Sequence, residues 1–281
     1  MQNFSKIDKP EILSLLFQPP HGHAGNCPAN AEDVVLALAP AVDLTCRFYP
    51  SAFDAPTLIY FHGGNESCES FSDEAGNFLR HGINVFLASY RGYGGSSGVP
   101  SVSSIFADGR ALLPLATEWL KNQGYSGALF VMGRSLGAVS AIDIVHANSE
   151  TVKGLLIESG FCETAPLLQA IGVPVSSTEL AEHEGFDNLR KIAEIKLPTM
   201  IFHGAKDGLV PVVQAEKLQA ASGARNKQFF IIPGAEHDTV GKIAGDLYFQ
   251  KIKEFINTVC GVNTWRQRRK ELKGGRTGGS A

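Results

Sequence analysis

The stretch VMGRSLGAVS, residues 131–140, places one serine between two glycines, after an apolar run and before small residues. Its GRSLG core fits the pattern Gly-x-Ser-x-Gly, in which a buried strand turns sharply into a helix with the serine at the turn. Such a turn strains the serine backbone and crowds its neighbours, so that Cβ atoms at positions 133 and 137 would collide. The pattern predicts that the Ser135 hydroxyl is exposed as a nucleophile at a helix N-terminus. A helix-capping role for Ser135 is the alternative.

Apolar runs bounded by glycine, proline or asparagine alternate along the chain with segments of helical spacing. Strands are predicted at 34–38, 42–49, 57–62, 84–89, 128–132, 154–158, 199–203 and 228–232, and helices at 69–80, 103–122, 136–147, 211–221 and 241–258. The alternation after residue 57 predicts an α/β protein. Its sheet is expected to be eight-stranded and mostly parallel, with helices on both faces and an antiparallel hairpin before them.

The regular alternation is interrupted once, between the strands that end at Glu158 and begin at Thr199. The inserted segment, about 159–197, predicts two short helices around a Val-Pro-Val turn. An insertion at this end of a parallel sheet lies over the carboxyl edge, where ligands bind in open α/β sheets, so a small helical cap is expected. Residues 1–264 are expected to form one domain, and residues 265–281 a basic, flexible tail.

Two later segments place a carboxylate and an imidazole at strand ends. FHGAKDGLVP brings Asp207 just after one strand, and IIPGAEHDTV brings His237 just after the next. A serine hydroxyl is a weak nucleophile unless an imidazole takes its proton and a carboxylate orients that imidazole. The chain order Ser, Asp, His therefore predicts a triad of Ser135, Asp207 and His237. Glu158, which also ends a strand, is the alternative acid.

The FHGG stretch at residues 61–64 meets a further requirement of this chemistry. A tetrahedral intermediate needs N–H donors near its oxygen, and glycine lets the backbone approach closely. The expected oxyanion donors are the N–H groups of Gly64 and Leu136, with Asn65 as the alternative to Gly64. His62 is expected to stabilise this loop rather than to transfer protons.

Together these segments resemble the α/β-hydrolase-fold serine hydrolases. The matching stretches FHGGNES, YRGYGGSSGVPS, GRSLGA, HGAKDGLVP and GAEHD span about residues 57–238. Within that superfamily the sequence resembles a small-cap group that includes protein-depalmitoylating hydrolases and aminopeptidase-like, S33-type hydrolases. The resemblance implies hydrolysis of carboxylic esters or thioesters through an acyl-enzyme. Amide cleavage as an aminopeptidase, acyl transfer, and ligand binding without catalysis are the alternatives.

A small-molecule or acylated substrate is expected to bind in a medium-sized apolar pocket. Its predicted lining residues are Tyr93, Phe161, Leu167, Leu168, Val173 and Leu209. Arg134 lies between the first glycine of the turn and Ser135. It is predicted either to pair with a buried carboxylate such as Glu158 or to reach an anionic group of the substrate.

The composition and motifs of the chain indicate which classes of partner and cofactor it does not need. The formal net charge of −3 provides no field that favours nucleic acid, so no nucleic-acid partner is expected. The sequence has no phosphate-binding glycine loop, and its cysteines lack metal-ligand spacing. The HGHAGNC stretch groups His21, His23 and Cys27 without a second ligand cluster, so neither a cofactor nor a metal is expected.

The N-terminal region bears on localisation. MQNFSKIDKP lacks the pattern of a signal peptide, and no run approaches the roughly 18 apolar residues of a membrane span, so the cytoplasm is the expected compartment. The short apolar stretch EILSLLF, residues 11–17, is compatible with weak contact with a membrane surface or with packing on the body of the protein.

Overall fold

A sheet of eight strands lies at the centre of the protein in the computed structural model, which describes residues 3–20, 26–175 and 180–262. The strands are β1 (Glu32–Ala39), β2 (Val42–Tyr49), β3 (Thr57–Phe61), β4 (Asn84–Ala88), β5 (Leu129–Arg134), β6 (Leu155–Glu158), β7 (Thr199–Gly204) and β8 (Lys227–Ile232). They lie in the order β1-β2-β4-β3-β5-β6-β7-β8. The β1–β2 and β2–β4 pairs are antiparallel and the other pairs are parallel. The mostly parallel sheet and its leading hairpin are confirmed.

Helices connect and cover these strands. They are α1 (Pro10–Leu16), α2 (Ser72–Arg80), α3 (Val102–Asn122), α4 (Gly137–Ala147), α5 (Thr164–Ala170), α6 (Asn188–Glu194), α7 (Val212–Ala221), α8 (Val240–Ala244) and α9 (Asp246–Val259). The single helix predicted over 241–258 is wrong, because Gly245 adopts φ 58° and ψ −140° and separates α8 from α9. A left-handed φ ends a helix and is least strained at glycine.

Both faces of the sheet are covered by apolar packing. Successive side chains of a strand point to opposite faces. Along β6, Leu155 and Ile157 therefore join the core beneath α3, α4 and α7, whereas Leu156 joins the core beneath α2 and α9. Every residue of β3 and β4 is buried, as expected for parallel strands covered on both faces.

The segment between β6 and β7 holds α5 and α6, with a 3₁₀ turn at Glu182–Glu184 between them. In α6, Ile192 enters the core beneath α4, and Lys191 forms a buried ion pair with Asp143 of α4 at 2.8 Å. The insertion is therefore attached to the body by its second helix. Its first helix, α5, lies at the carboxyl edge, where Leu167 and Ile171 contact the site described below.

Two sequence expectations fall beyond the described ranges. The basic ending at 265–281 and the histidines His21 and His23 lie outside the described residues. In the part of the chain that the structure describes, no helix has both the length and the apolar character needed to cross a lipid bilayer.

Candidate active site

The turn between β5 and α4 holds Ser135 at φ 52°, in the left-handed region that non-glycine residues rarely adopt. A Cβ on Gly133 would lie 2.3 Å from the carbonyl oxygen of Gly137. A Cβ on Gly137 would lie 2.1 Å from the carbonyl oxygen of Phe61. Both glycines are therefore required by close backbone contacts. Within the part of the chain that the structure describes, no side chain caps α4, so the helix-capping alternative for Ser135 is wrong.

Side chains from three loops at the carboxyl edge form one hydrogen-bonded chain. The Oγ of Ser135 lies 2.7 Å from Nε2 of His237. The Nδ1 of His237 lies 2.8 Å from Oδ2 of Asp207. With Nδ1 donating to the carboxylate, Nε2 is left to accept the proton of the serine hydroxyl. The structure thus brings together the three residues that the sequence singles out.

The surroundings of Asp207 keep its carboxylate ionised. Its Oδ1 accepts the N–H groups of Leu209 at 3.0 Å and Val210 at 2.7 Å. Its Oδ2 also lies 3.2 Å from Nε2 of His203, a fully buried side chain. Burial opposes ionisation, but the hydrogen bonds from His203 and His237 outweigh it and lower the pKa of Asp207.

His237 is held through both its ring and its backbone. Burial alone would lower the pKa of His237, but the hydrogen bond and charge of Asp207 raise it above the ordinary value. The buried hydroxyl of Ser159 donates to the main-chain oxygen of His237 at 2.8 Å. Ser159 directly follows β6 and adopts φ 50°. Such strain persists only where surrounding contacts hold it, and here it directs a hydroxyl to the loop that carries the imidazole.

The loop after β3 presents the backbone of Gly64 to Ser135. The carbonyl of Gly64 accepts the hydroxyl of Tyr93 at 2.5 Å and the N–H of Gln18 at 2.8 Å. The N–H groups of Gly64 and Leu136 have no acceptor among the described residues, and both residues line the same cavity as Ser135. Free N–H donors beside a nucleophile are the arrangement that stabilises an oxyanion.

His62 has the structural position expected from the sequence. Its Nδ1 lies 2.8 Å from the carbonyl oxygen of Gly63, and burial lowers the pKa of the ring, which favours the neutral form. A neutral ring with hydrogen on Nδ1 donates to that carbonyl. His62 packs against Tyr90 and Tyr93, with ring centroids 4.7 and 5.4 Å away.

Ser135 opens into a cavity of about 280 Å³. Its apolar walls come from α1, from the turn between β5 and α4, from the α5 region and from the loop after β7. The apolar lining residues are Leu15, Leu16, Leu136, Leu167, Ile171 and Leu209, and the polar ones are Gln18, Asn65, His237 and Asp238. The predicted residues Leu167 and Leu209 are among them.

Other predicted lining residues do not reach this cavity. Tyr93 is buried behind it and holds the carbonyl of Gly64. Phe161 packs against Phe186 with ring centroids 5.4 Å apart, and Leu168 is fully buried in the core. Val173 lines a separate groove between the N-terminal segment and the insertion. These positions correct the prediction, because their apolar side chains pack inward rather than towards the site.

Sequence reasoning also missed the N-terminal wall of the site. Leu15, Leu16 and Gln18 line the cavity, and a Cβ on Gly64 would lie 2.2 Å from the carbonyl oxygen of Leu16. The apolar stretch at residues 11–17 was the available signal, and it packs on the body of the protein: Ile12 and Leu16 are buried in the main core. Nothing in its spacing indicates which loop it contacts.

Arg134 points away from the cavity into a cluster of carboxylates. Its Nε lies 3.0 Å from Glu158, one Nη lies 2.8 Å from Glu66, and the other lies 2.5 Å from Glu74. Tyr248 donates a hydrogen bond to the same Glu158 carboxylate. Glu158 is thus paired with Arg134, and Asp207 is the carboxylate that contacts His237. In the described part of the chain, no group of His, Cys, Asp and Glu side chains is arranged to hold a metal ion.

The family of the chain follows from its similarity to known proteins. The family model for serine aminopeptidase, S33, matches residues 55–183 and 183–242. The chain belongs to the serine aminopeptidase S33 family. Protein bem46 of Schizosaccharomyces pombe is 31% identical over 210 residues, which cover 72% of this chain and 67% of that protein.

Two solved structures share the fold of this S33 family member. Esterase Pf2001 of Pyrococcus furiosus superposes with a TM-score of 0.69 at 20% identity, covering 86% of this chain and 98% of that one. Est1E of Butyrivibrio proteoclasticus, solved with ferulic acid bound, gives 0.65 at 16% identity, covering 81% and 99%. The predicted α/β-hydrolase fold is confirmed, and the protein is a hydrolase.

Proposed function

We propose that this S33 family member hydrolyses carboxylic esters and thioesters through an acyl-enzyme on Ser135. The observation that carries the proposal is the hydrogen-bonded chain from Ser135 through His237 to Asp207, at the base of a mainly apolar cavity. This chain supplies a nucleophile, a general base and an orienting carboxylate in contact with one another.

The contacts support a role for each group. His237 takes the Ser135 proton on Nε2 as Oγ attacks the substrate carbonyl, and Asp207 stabilises the resulting imidazolium through Nδ1. The carbonyl oxygen becomes an oxyanion, which the N–H groups of Gly64 and Leu136 stabilise. His237 then returns the proton to the departing alcohol or thiol. Water, deprotonated by His237, then attacks the carbonyl of the acyl-enzyme. This step releases the carboxylic acid and restores Ser135.

The cavity favours an acyl group as the recognised part of the substrate. Its walls beside Ser135 are the side chains of leucine and isoleucine from α1, the α5 region and the loop after β7. An apolar wall binds alkyl carbon at roughly 0.8 kcal/mol per buried CH₂. The proposal for an ester substrate is also in keeping with the esterase name of the Pyrococcus protein.

Labelling with a fluorophosphonate tests the nucleophile. We expect the wild-type protein to be labelled and Ser135→Ala to lose both labelling and ester turnover, because among the described residues no other hydroxyl contacts His237 Nε2. Ser140→Ala is the matched control, since it removes a buried hydroxyl from α4 without touching His237. Equal labelling of wild type and Ser135→Ala would refute the assignment.

Amide hydrolysis is the second candidate, and one residue that lines the cavity favours it. The family model is named for an aminopeptidase, and Asp238 lines the cavity beside His237, where a carboxylate can bind a substrate ammonium group. Rates should be compared for p-nitrophenyl esters and acyl thioesters of increasing chain length and for aminoacyl p-nitroanilides. We expect esters and thioesters to give the higher kcat/KM, with a preference for apolar acyl chains. Faster anilide cleavage, lost in Asp238→Asn, would assign the aminopeptidase activity instead.

A further inference from the structure

The two proposed oxyanion donors belong to different elements. Leu136 follows the nucleophile at the end of β5, and Gly64 lies in the loop after β3. An oxyanion hole works only if its donors are held at about 2.7–3.1 Å from one oxygen position. Some contact must therefore fix the loop of Gly64 relative to the turn that carries Leu136.

Between the carbonyl of His62 and the carbonyl of Gly64, every backbone polar group has a partner among the described residues except the N–H of Gly64. The carbonyl of His62 accepts the hydroxyl of Tyr90 at 2.8 Å. The N–H of Gly63 donates to Oε2 of Glu66 at 2.6 Å, and the Gly63 carbonyl faces His62 Nδ1 at 2.8 Å. The Gly64 carbonyl has two donors of its own. Because the Gly63 carbonyl and the Gly64 N–H belong to one planar trans peptide, these bonds also set the direction of that N–H.

The Glu66 carboxylate joins this loop to the nucleophile turn. Its Oε2 accepts the N–H of Gly63, and its Oε1 lies 2.8 Å from a guanidinium nitrogen of Arg134. Arg134 is the residue immediately before Ser135, and its side chain is only 9% exposed. The same guanidinium pairs with Glu158 and Glu74. A planar fork with several donors makes these contacts at once, which a lysine ammonium on a flexible chain does not reproduce.

We propose that Arg134 and Glu66 are positioning residues for the oxyanion hole: their ion pair holds the N–H of Gly64 at a set separation from the N–H of Leu136. The inference rests on the proposed function of Ser135. It extends that function by assigning a role in transition-state stabilisation to a partly buried pair that does not line the cavity. Glu158 contacts two nitrogens of Arg134, at 3.0 and 3.2 Å, so the guanidinium keeps a two-point anchor that does not depend on Glu74.

Glu66→Ala is the test variant and Glu74→Ala is its matched control. Each substitution removes one carboxylate from Arg134, but only Glu66 contacts the oxyanion loop. The measurements are kcat and KM for p-nitrophenyl butyrate, Ki for an alkyl trifluoromethyl ketone, and Tm. The serine hydroxyl adds to the ketone carbonyl and its proton passes to His237, so the ketone oxygen becomes an oxyanion in the site.

We expect Glu66→Ala to lower kcat about tenfold or more with KM unchanged, since loss of one oxyanion donor costs about 10²–10³ in kcat. Ki for the ketone should rise by the same factor. Glu74→Ala should change both by less than about threefold, even where it lowers Tm. Arg134→Lys provides a second variant if Glu66→Ala does not fold, and it should show the same loss of kcat and ketone affinity.

Equal losses in Glu66→Ala and Glu74→Ala that follow Tm would overturn the proposal, because the cluster would then act through stability alone. Unchanged kcat and ketone affinity in both Glu66→Ala and Arg134→Lys would overturn it as well. If the proposed function itself is wrong, the measurements would give a different result. In that case Ser135→Ala would keep its ester turnover, and the ketone would not inhibit the wild-type protein.

Discussion

Ser135 and Ser159 adopt left-handed backbones at the ends of neighbouring strands, with φ values of 52° and 50°. The hydroxyl of Ser135 contacts the ring of His237, and that of Ser159 contacts its main-chain oxygen. The position of the imidazole is thus set from two sides by residues whose own backbones are constrained. The geometry of the catalytic residues therefore depends on the backbone φ angles of these two serines as well as on their hydroxyl groups.

The raised pKa of His237 predicts a specific pH profile. The imidazole acts as a base only when neutral, so kcat/KM should rise with pH through a pKa above the usual histidine value of about 6.5. Asp207→Asn removes the charge that raises this pKa most, and it leaves the smaller effects of Asp238 and Glu158 together with the burial that lowers it. The rise should move to lower pH, and the plateau should fall by about 10⁴ because the tautomer is no longer selected.

The measurement is kcat/KM for an ester from pH 5 to 9, with Glu236→Gln as control. Glu236 neighbours His237 in sequence, but its side chain is exposed and does not line the cavity. Its profile should match that of the wild type. An Asp207→Asn profile that rises at higher pH than the wild type would contradict the role given to Asp207.

At the scale of elements, the turn between α8 and α9 depends on one backbone angle. Gly245 has φ 58°, whereas Gly241 lies inside α8, where an added Cβ would meet its nearest neighbour, Tyr248, at an ordinary van der Waals distance of 3.7 Å. Gly245→Ala should therefore lower the free energy of unfolding by about 1 kcal/mol or more, because an L side chain is strained there. Gly241→Ala should leave it unchanged or raise it by up to about 1 kcal/mol, since alanine favours helix. Urea unfolding of both variants measures the difference, and equal losses would contradict this account.

The strands could be predicted from the sequence, whereas one helix break and part of the cavity wall could not. All eight strands are predicted with ends shifted by only one or two residues, because apolar runs ending in glycine or proline are local signals. The positions of Ser135, Asp207 and His237 at strand ends follow directly from those strands. The break at Gly245 was missed because helical spacing continues on both sides of it. The walls of the cavity were predicted only in part, since the docking of α1 and the inward packing of Phe161 are long-range contacts with no local signal.

For the whole molecule, the two apolar cores share one sheet and should unfold together. Ile157 and Leu156 are consecutive and fully buried, yet they belong to cores on opposite faces. We expect Ile157→Ala and Leu156→Ala each to lower the free energy of unfolding by about 2–5 kcal/mol within one cooperative transition. Val35→Ala, at a strand position 63% exposed, should change it by less than about 0.5 kcal/mol. Urea curves followed by far-UV circular dichroism and by tryptophan fluorescence should coincide, and separate midpoints would show that the faces unfold independently.

The segment formed by α1 and Gln18 lies outside the sheet, yet it completes the wall beside Ser135. Its bond to the loop of Gly64 uses the main-chain N–H of residue 18, which any amino acid except proline provides. The side chain of Leu15, which is 37% exposed, is therefore free to vary without loss of that attachment, whereas Leu16 is also held in the core. Under the proposed function this segment would help to set the acyl-chain preference, so we expect that replacing it with the segment of another family member changes the preferred acyl length and leaves the reacting groups in place.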